Sequence, residues 1–81
     1  MIITYTKEFL KRFEKYDKKL KQQIVTAIEK LPDGDVCQLK GKNIPKLYRL
    51  RVRTYRILFE MTENEIIIWT VDSRGDIYKN I

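Results

Sequence analysis

The chain has 81 residues and carries 17 Lys and Arg against 11 Asp and Glu, a formal net charge of +6. A chain of this length holds one domain with a modest core and has no room for a separate cofactor domain. Its hydrophobic fraction of 43% is too high for a disordered tail. The basic balance favours polyanionic partners such as RNA, DNA, ribosomes or an acidic protein segment.

Several kinds of site are excluded by residues that the sequence lacks. It contains no His, which excludes a Ser–His–Asp triad, a Cys–His dyad and a His metal site. Cys37 has no second cysteine to pair with, which fits a reducing compartment. The longest wholly apolar run, residues 66–69, is too short to span a bilayer, and the start lacks the layout of a signal peptide. We therefore expect a cytoplasmic protein with no cofactor, no metal and no membrane partner.

The first half of the chain predicts one strand and two helices. Residues 2–5 are rich in β-branched and aromatic side chains, as strands are. Thr6 can cap a first helix, whose apolar residues recur at helical spacing: Phe9, Leu10, Phe13 and Tyr16. A second apolar stripe follows: Leu20, Ile24, Ala27, Ile28 and Leu31. Asp17 either ends the first helix or caps the second, and Pro32 and Gly34 end the second. The stripes are expected to pack on a sheet as an αα-hairpin.

The second half predicts a loop and three strands. Residues 33–46 are polar and contain Gly41 and Pro45, which predicts a basic loop. Strands are predicted at 47–53, 55–61 and 65–71. Residues 72–81 are expected to be irregular or to form a short last strand. The fold class is therefore α+β in a single domain, residues 1–81: an N-terminal strand, an αα-hairpin and a three-stranded antiparallel meander, with the helices on one face of the sheet.

Arginines alternate with apolar residues in the strand at 47–53. Because successive strand side chains point to opposite faces, Arg49, Arg51 and Arg53 are expected to face away from the core. A two-residue turn at Arg53-Thr54 fixes the pairing with the next strand. The predicted core pairs are Val52–Tyr55, Leu50–Ile57 and Tyr48–Phe59, and the pairs on the other face are Arg51–Arg56 and Arg49–Leu58.

Like charges directly opposite each other in a sheet are unfavourable by up to about 1 kcal/mol. The predicted Arg51–Arg56 pair is therefore not explained by a contribution to stability. Two interpretations remain open: solvated arginines that extend apart, or a phosphate cradle, because guanidinium groups bind phosphate oxygens bidentately. Arg74 and Tyr78 follow the last strand and can join this face. Tyr78 either stacks on a base or packs at the edge of the core. Trp69 and Leu58 either line the bottom of the site or pack in the core.

Five segments, in this order, resemble the RelE/ParE toxin superfamily and its RelE-like branch. They are LKG at 39–41, LYRLRV at 47–52, YRILFE at 55–60, IIIWTV at 66–71 and RGDIYK at 74–79. With the β-α-α start, the resemblance covers nearly the whole chain, and the family's fold is the one predicted above. This chain departs from many relatives at Arg53-Thr54, where they carry Gly-Asp, and from some at Ser73, where they carry His.

The resemblance implies the toxin of a type II toxin–antitoxin pair, a ribosome-dependent endoribonuclease that cleaves mRNA in the ribosomal A site. Attack by the RNA 2′-hydroxyl would leave a cyclic or 3′-phosphate and a 5′-hydroxyl, without metal. The implied catalytic residues are Arg49, Arg51, Arg56, Arg74 and Tyr78. Arg56 and Arg74 are expected to stabilise the developing charge, Arg49 and Arg51 to position the phosphate, and Tyr78 to orient the base or accept the proton.

Further residues are expected to bind RNA or the ribosome: Lys40, Lys42, Lys46 and Arg53. The implied partners are a cognate antitoxin, the ribosome and mRNA, and the toxin–antitoxin complex is expected to bind its own operator DNA through the antitoxin. Three alternatives stay open: a ParE-like inhibitor of DNA gyrase, an inactive homologue that only binds its antitoxin, and a nucleic-acid-binding module that is not a toxin.

Overall fold

The computed structural model describes residues 2–39 and 47–73. Seven elements follow one another in these ranges: β1 (Ile2–Tyr5), α1 (Lys7–Glu14), α2 (Lys18–Glu29), β2 (Val36–Gln38), β3 (Leu47–Val52), β4 (Tyr55–Met61) and β5 (Glu65–Asp72). The two helices and the mixed sheet confirm the predicted α+β class. Within the described ranges, no helix is long and apolar enough to cross a membrane.

Each helix begins at a side chain that binds its first turn. The Phe9 amide donates to the Thr6 hydroxyl oxygen over 3.1 Å, and the Leu20 amide donates to Asp17 Oδ1 over 2.8 Å. Free amides at a helix start need such acceptors. The capping function predicted for Thr6 is confirmed, and Asp17 caps the second helix, one of its two predicted roles.

The sheet has five strands in the order β1-β5-β4-β3-β2. The predicted meander forms its antiparallel centre, whereas β1 runs parallel to β5 at one edge. The prediction that residues 33–46 form only a loop is wrong, because β2 pairs antiparallel with β3 at the other edge. A three-residue edge strand presents too few residues for an alternating pattern, and its backbone pairing with β3 determines its structure.

The core lies between the helices and one face of the sheet. Its fully buried residues come from α1, α2 and the three central strands: Phe9, Ile24, Ile28, Leu50, Ile57, Phe59, Ile66, Ile68 and Val71. Tyr48, Val52 and Tyr55 also pack there, so the predicted core face of the β3–β4 hairpin is confirmed. The opposite face of the sheet is left for other contacts.

The β3–β4 hairpin has the predicted register. Arg51 and Arg56 are Cα partners, as are Arg49 and Leu58, and the turn falls at Arg53 and Thr54. Arg53 has φ of 58°, the left-handed conformation that a two-residue hairpin turn requires and that Gly or Asn adopts more readily than Arg.

A β-bulge interrupts the pairing of β4 with β5. Leu58 pairs with Thr70 and Phe59 pairs with Ile68, so Trp69 is an additional residue on β5. Bulges redirect side chains, and this one keeps both Ile68 and Val71 in the core while Trp69 is exposed. The Thr6 hydroxyl donates to the Trp69 carbonyl over 2.6 Å, and the Thr6 amide donates to the Ile68 carbonyl over 3.1 Å. The start of α1 therefore holds the bulge in place.

Candidate functional site

Three arginines lie on the face of the sheet opposite the helices, and we call them the arginine face: Arg49, Arg51 and Arg56. Arg51 is paired with Arg56 across β3 and β4. Leu50 and Ile57, their neighbours in sequence, are buried in the core on the other side. The strand pairing thus places like charges on adjacent strands, where they disfavour folding slightly and create a positive potential that suits an anion.

Arg49 is the most enclosed of the three. Its side chain is only 16% exposed, and its Nη2 lies 3.8 Å from Oδ1 of the largely exposed Asp35. Its Nη1 is buried and has no hydrogen-bond partner in the described part of the chain. A buried donor without an acceptor is unfavourable, so this nitrogen adds to the free-energy cost of the arginine face in the free protein.

Arg56 lies beside an ion pair that the sequence analysis missed. Its Nη1 is 3.5 Å from the Ser73 carbonyl oxygen, and its Cα partner on β5 is Asp72. The Asp72 carboxylate forms a 2.8 Å ion pair with Arg12 of α1. Helical spacing marks Arg12 only as a polar residue, and no local signal in the sequence pairs it with a residue 60 positions away. The carboxylate of this strand partner is thus engaged by a helix.

The side chain of Arg53 departs from the predicted alternation. Its Nη1 donates to Gln23 Oε1 of α2 over 3.3 Å, on the helix side of the sheet. The reason is the left-handed φ at the turn, which interrupts the strand geometry that alternation assumes. Gln23 and Arg51 both line an open groove of about 570 Å³ between α2 and β3. Arg51 therefore borders this groove as well as the arginine face, whereas Arg53 is directed towards α2.

Two apolar residues near the arginines have different environments. Leu58, the partner of Arg49, is 4% exposed although it does not belong to the helix-side core. Trp69 is 43% exposed, and its indole Nε1–H donates to Glu60 Oε1 over 3.3 Å. The reading of Trp69 as a core residue is wrong, because Trp69 follows the buried Ile68 along β5 and therefore points to the opposite face.

Five of the predicted site residues lie outside the described ranges: Lys40, Lys42, Lys46, Arg74 and Tyr78. The structure brings together Arg49, Arg51 and Arg56 and directs Arg53 elsewhere. The described part of the predicted catalytic set is thus three of its four arginines, a group suited to binding a phosphate.

A tyrosine pair lies near the Arg12–Asp72 ion pair. The ring of Tyr16 is 5.0 Å from that of Tyr55, between their centroids. Burial raises the pKa of the Tyr16 phenol, and the neighbouring Tyr55 and Asp72 raise it further, whereas Arg12 opposes them. Burial likewise raises the pKa of Tyr5, with Glu29 adding to the effect. Both phenols are therefore kept neutral.

The chain matches a known protein family and shares its fold with several solved structures. Residues 3–78 match the family model of the ParE toxin of type II toxin–antitoxin system, parDE. No curated protein matches the chain significantly in sequence. Among solved structures, the toxin–antitoxin RelB–RelE complex of Methanococcus jannaschii includes a chain with 26% identity and a TM-score of 0.75, with 96% of this chain and 98% of that chain covered.

Two further structures share the fold at lower identity. A chain of the archaeal RelE–RelB complex from Pyrococcus horikoshii OT3 has 20% identity and a TM-score of 0.74, covering 91% of this chain and 94% of that chain. The isolated E. coli RelE toxin has 18% identity and a TM-score of 0.66, covering 98% of this chain and 92% of that chain. The family match covers residues 3–78, which is nearly the whole chain, and the chain therefore belongs to the ParE toxin family, within the RelE/ParE superfamily of type II toxins.

Proposed function

We propose that this toxin cleaves mRNA in the ribosomal A site and thereby stops translation. The observation that carries the proposal is the arginine face. Arg51 and Arg56 are held opposite each other, and Arg49 keeps a buried guanidinium nitrogen without a partner in the described ranges. Such an arrangement disfavours the free protein, and a phosphate bound at the guanidinium groups would offset the repulsion between their charges, so the arrangement supports a phosphodiester substrate.

The chemistry proposed for this face uses the substrate's own nucleophile. A 2′-hydroxyl attacks the adjacent phosphorus, the P–O5′ bond breaks, and the products carry a 2′,3′-cyclic phosphate and a 5′-hydroxyl. On the way, the nonbridging oxygens of the five-coordinate phosphate gain negative charge, which fixed cations stabilise, and water supplies the proton that the leaving 5′-oxygen takes up. Arg56 is assigned this task, with Arg49 and Arg51 positioning the phosphate. Arg74 would assist Arg56, and Tyr78 would orient or deprotonate the 2′-hydroxyl.

The ribosome is proposed as the orienting partner. The arginine face consists of guanidinium groups and contains neither a carboxylate nor an imidazole, so its acid–base equipment is weak. Holding the 2′-hydroxyl in line with the leaving oxygen can contribute several orders of magnitude in rate. Ribosome-held message would provide this alignment, and free RNA would be cut poorly.

An antitoxin is proposed as the second partner. The solved structures with similar folds include RelB–RelE antitoxin–toxin complexes. An acidic or amphipathic antitoxin segment over the arginine face would neutralise its charge and exclude RNA. The complex would bind operator DNA through the antitoxin.

A purified translation system with one defined mRNA tests the proposal. New 5′ ends are mapped by primer extension with and without ribosomes, for the wild-type toxin and for Arg56→Ala and Tyr78→Ala. We expect cuts inside codons only on translated message, and loss of cutting in both variants while their circular dichroism is unchanged. Intact message with normal protein output contradicts the proposal.

Inhibition of DNA gyrase is the second candidate, because the family model that matches the chain is that of ParE toxins. A supercoiling assay with purified gyrase separates the two. Lost supercoiling with intact message would assign the toxin to gyrase. No effect in either assay would indicate a homologue that only binds its antitoxin.

A further inference from the structure

We infer that Trp69 and Glu60 form a nucleobase subsite beside the arginine face, with guanine as the preferred base. This inference rests on the proposed function and deepens it, because it names a determinant of sequence preference in the RNA. It starts from the exposure of Trp69, which is 43% exposed although large aromatic side chains are usually well covered.

The indole is held in position rather than mobile. Trp69 is the additional residue of the bulge between β4 and β5, and its carbonyl accepts the 2.6 Å hydrogen bond from Thr6. Its Nε1–H donates to Glu60 Oε1. Backbone and ring are thus both fixed, so a base that stacks here loses little side-chain entropy.

The subsite lies on the same side of the sheet as the arginines. Arg56, Leu58 and Glu60 alternate with the core residues Ile57 and Phe59 along β4, so their side chains share the face opposite the helices. Arg56 and Glu60 are four residues apart on β4, a distance of about 13 Å along the strand. When one phosphate of an RNA strand binds at the arginines, a neighbouring base of the same strand can therefore reach the indole.

The charges of this surface favour single-stranded RNA over an apolar protein segment. The cations on β3 and β4 match a phosphate backbone, and an aromatic ring beside such cations is the usual arrangement for binding unpaired bases. Glu60 adds a carboxylate, and within the two described ranges only the indole N–H donates to it. Its second oxygen, Oε2, is therefore suited to N–H donors on the edge of a base.

Guanine fits this acceptor best. Its Watson–Crick edge presents N1–H and the 2-amino group side by side, two donors that a carboxylate accepts together. Uracil presents two carbonyl oxygens flanking one N–H, and the carboxylate repels those oxygens. Unpaired bases are commonly read in this way, through stacking and hydrogen bonds to the Watson–Crick edge.

The intrinsic fluorescence of Trp69 gives a direct test, because the sequence contains no other tryptophan. The toxin is titrated at low salt with 2′-O-methyl RNA oligomers, which it cannot cleave, containing either one G or only U. Binding is followed by tryptophan quenching and, independently, by anisotropy of a dye on the RNA. Cut sites on ribosomes are mapped for the wild-type toxin, Trp69→Leu and Glu60→Gln.

We expect the G oligomer to quench the fluorescence and to bind several-fold more tightly than the U oligomer. Trp69→Leu should weaken binding by about tenfold, the loss typical of one stacked base. Glu60→Gln should remove the preference for G and shift the cut sites on ribosomes. Leu10→Ala changes an exposed apolar residue on α1 (48% exposed) and serves as the matched control, with unchanged binding. Arg51→Gln should weaken both oligomers equally.

The alternative outcomes separate this inference from the proposed function. Ribosomal cutting whose sites and rate are unchanged in Trp69→Leu and Glu60→Gln overturns the subsite and leaves the ribonuclease intact. RNA that binds without quenching overturns the subsite, and quenching without a preference for G overturns the assignment of the base. If no message is cut and no oligomer binds, the proposed function fails with the subsite. Loss of affinity of Trp69→Leu for purified antitoxin, with RNA binding unchanged, assigns the indole to a protein interface instead.

Discussion

Arg51 on β3 and Arg56 on β4 are direct Cα partners, so two guanidinium groups start from opposite positions on adjacent strands. Their repulsion predicts opposite effects of one substitution on stability and on activity. Arg51→Gln should raise the free energy of unfolding by up to about 1 kcal/mol. The same change should slow mRNA cleavage by about 100-fold, because Arg51 is proposed to position the phosphate and a small misplacement of a substrate can cost that much in rate. Urea denaturation and primer extension measure the two effects, and parallel losses in both would show that Arg51 is structural.

The ion pair between Arg12 and Asp72 predicts a measurable coupling between α1 and the end of β5. Asp72 is only 16% exposed at its side chain, whereas Arg12 is 43% exposed. Arg12→Ala should lower the free energy of unfolding, and a double-mutant cycle with Asp72→Asn should give a coupling of about 0.5–1 kcal/mol. High salt should reduce the coupling. Lys11→Ala on the same helix is the control, and equal coupling of Lys11 with Asp72 would contradict a specific pair.

The turn residue Arg53 predicts a stabilising substitution. Its φ of 58° costs an L-residue other than Gly, Asn or Asp about 1–2 kcal/mol. Arg53→Gly should therefore raise the free energy of unfolding by about 0.5–1 kcal/mol, although it loses the exposed hydrogen bond to Gln23. Thr54→Gly has no positive φ to relieve and should not stabilise. A fall in stability of Arg53→Gly in urea denaturation would show that the Gln23 contact dominates.

Thr6 predicts a loss of stability shared by α1 and the bulge. Thr6→Ala removes the hydroxyl that accepts from the Phe9 amide and donates to the Trp69 carbonyl. The expected cost is about 1–2 kcal/mol, measured by urea denaturation. Trp69 fluorescence should shift in the same variant as the bulge loosens. Thr6→Ser keeps the hydroxyl and should keep most of the stability, and equal losses in both variants would point to the lost methyl group instead.

Tyr16 predicts a loss of stability at alkaline pH. Burial, with Tyr55 and Asp72, raises the pKa of its phenol above the ordinary value of 10.0 in the folded chain. Above that value the unfolded chain releases this proton first, so the unfolded state gains relative stability as pH rises. The contribution is complete below the ordinary value and is lost through the folded pKa. Urea denaturation at neutral and alkaline pH should show a smaller loss for Tyr16→Phe than for wild type, and identical losses would contradict the assignment.

Much of the fold was predictable because local and long-range signals agree. Thr6 and Asp17 are good caps, and alternation along β3 and β4 places Leu50 and Ile57 in the core. The register of the hairpin followed from one turn assignment. By contrast, β2 and the parallel pairing of β1 with β5 depend on which backbone edges are left free in the assembled sheet, and no residue pattern encodes that.

The candidate site was predictable only where strand alternation holds. Arg49, Arg51 and Arg56 lie as expected, whereas Arg53 turns towards α2 because its φ is left-handed. Of the two readings left open for Trp69, packing in the core is wrong, since Trp69 follows the buried Ile68 and points to the other face. The Arg12–Asp72 pair joins distant parts of the chain. The assignments for Arg74, Tyr78 and the three lysines of residues 40–46 stay predictions.

The parallel pairing of β1 with β5 has a consequence for synthesis of the chain. Ile2 and Tyr5 pair with Glu65 and Ile68. β1 therefore cannot join the sheet until β5 has been synthesised. Until β5 has left the ribosomal exit tunnel, α1 also lacks the Asp72 partner of Arg12 and the bulge carbonyl that Thr6 binds. Contacts this distant in sequence form late in folding. The sheet of a chain that is still being translated therefore stays incomplete until synthesis has passed β5.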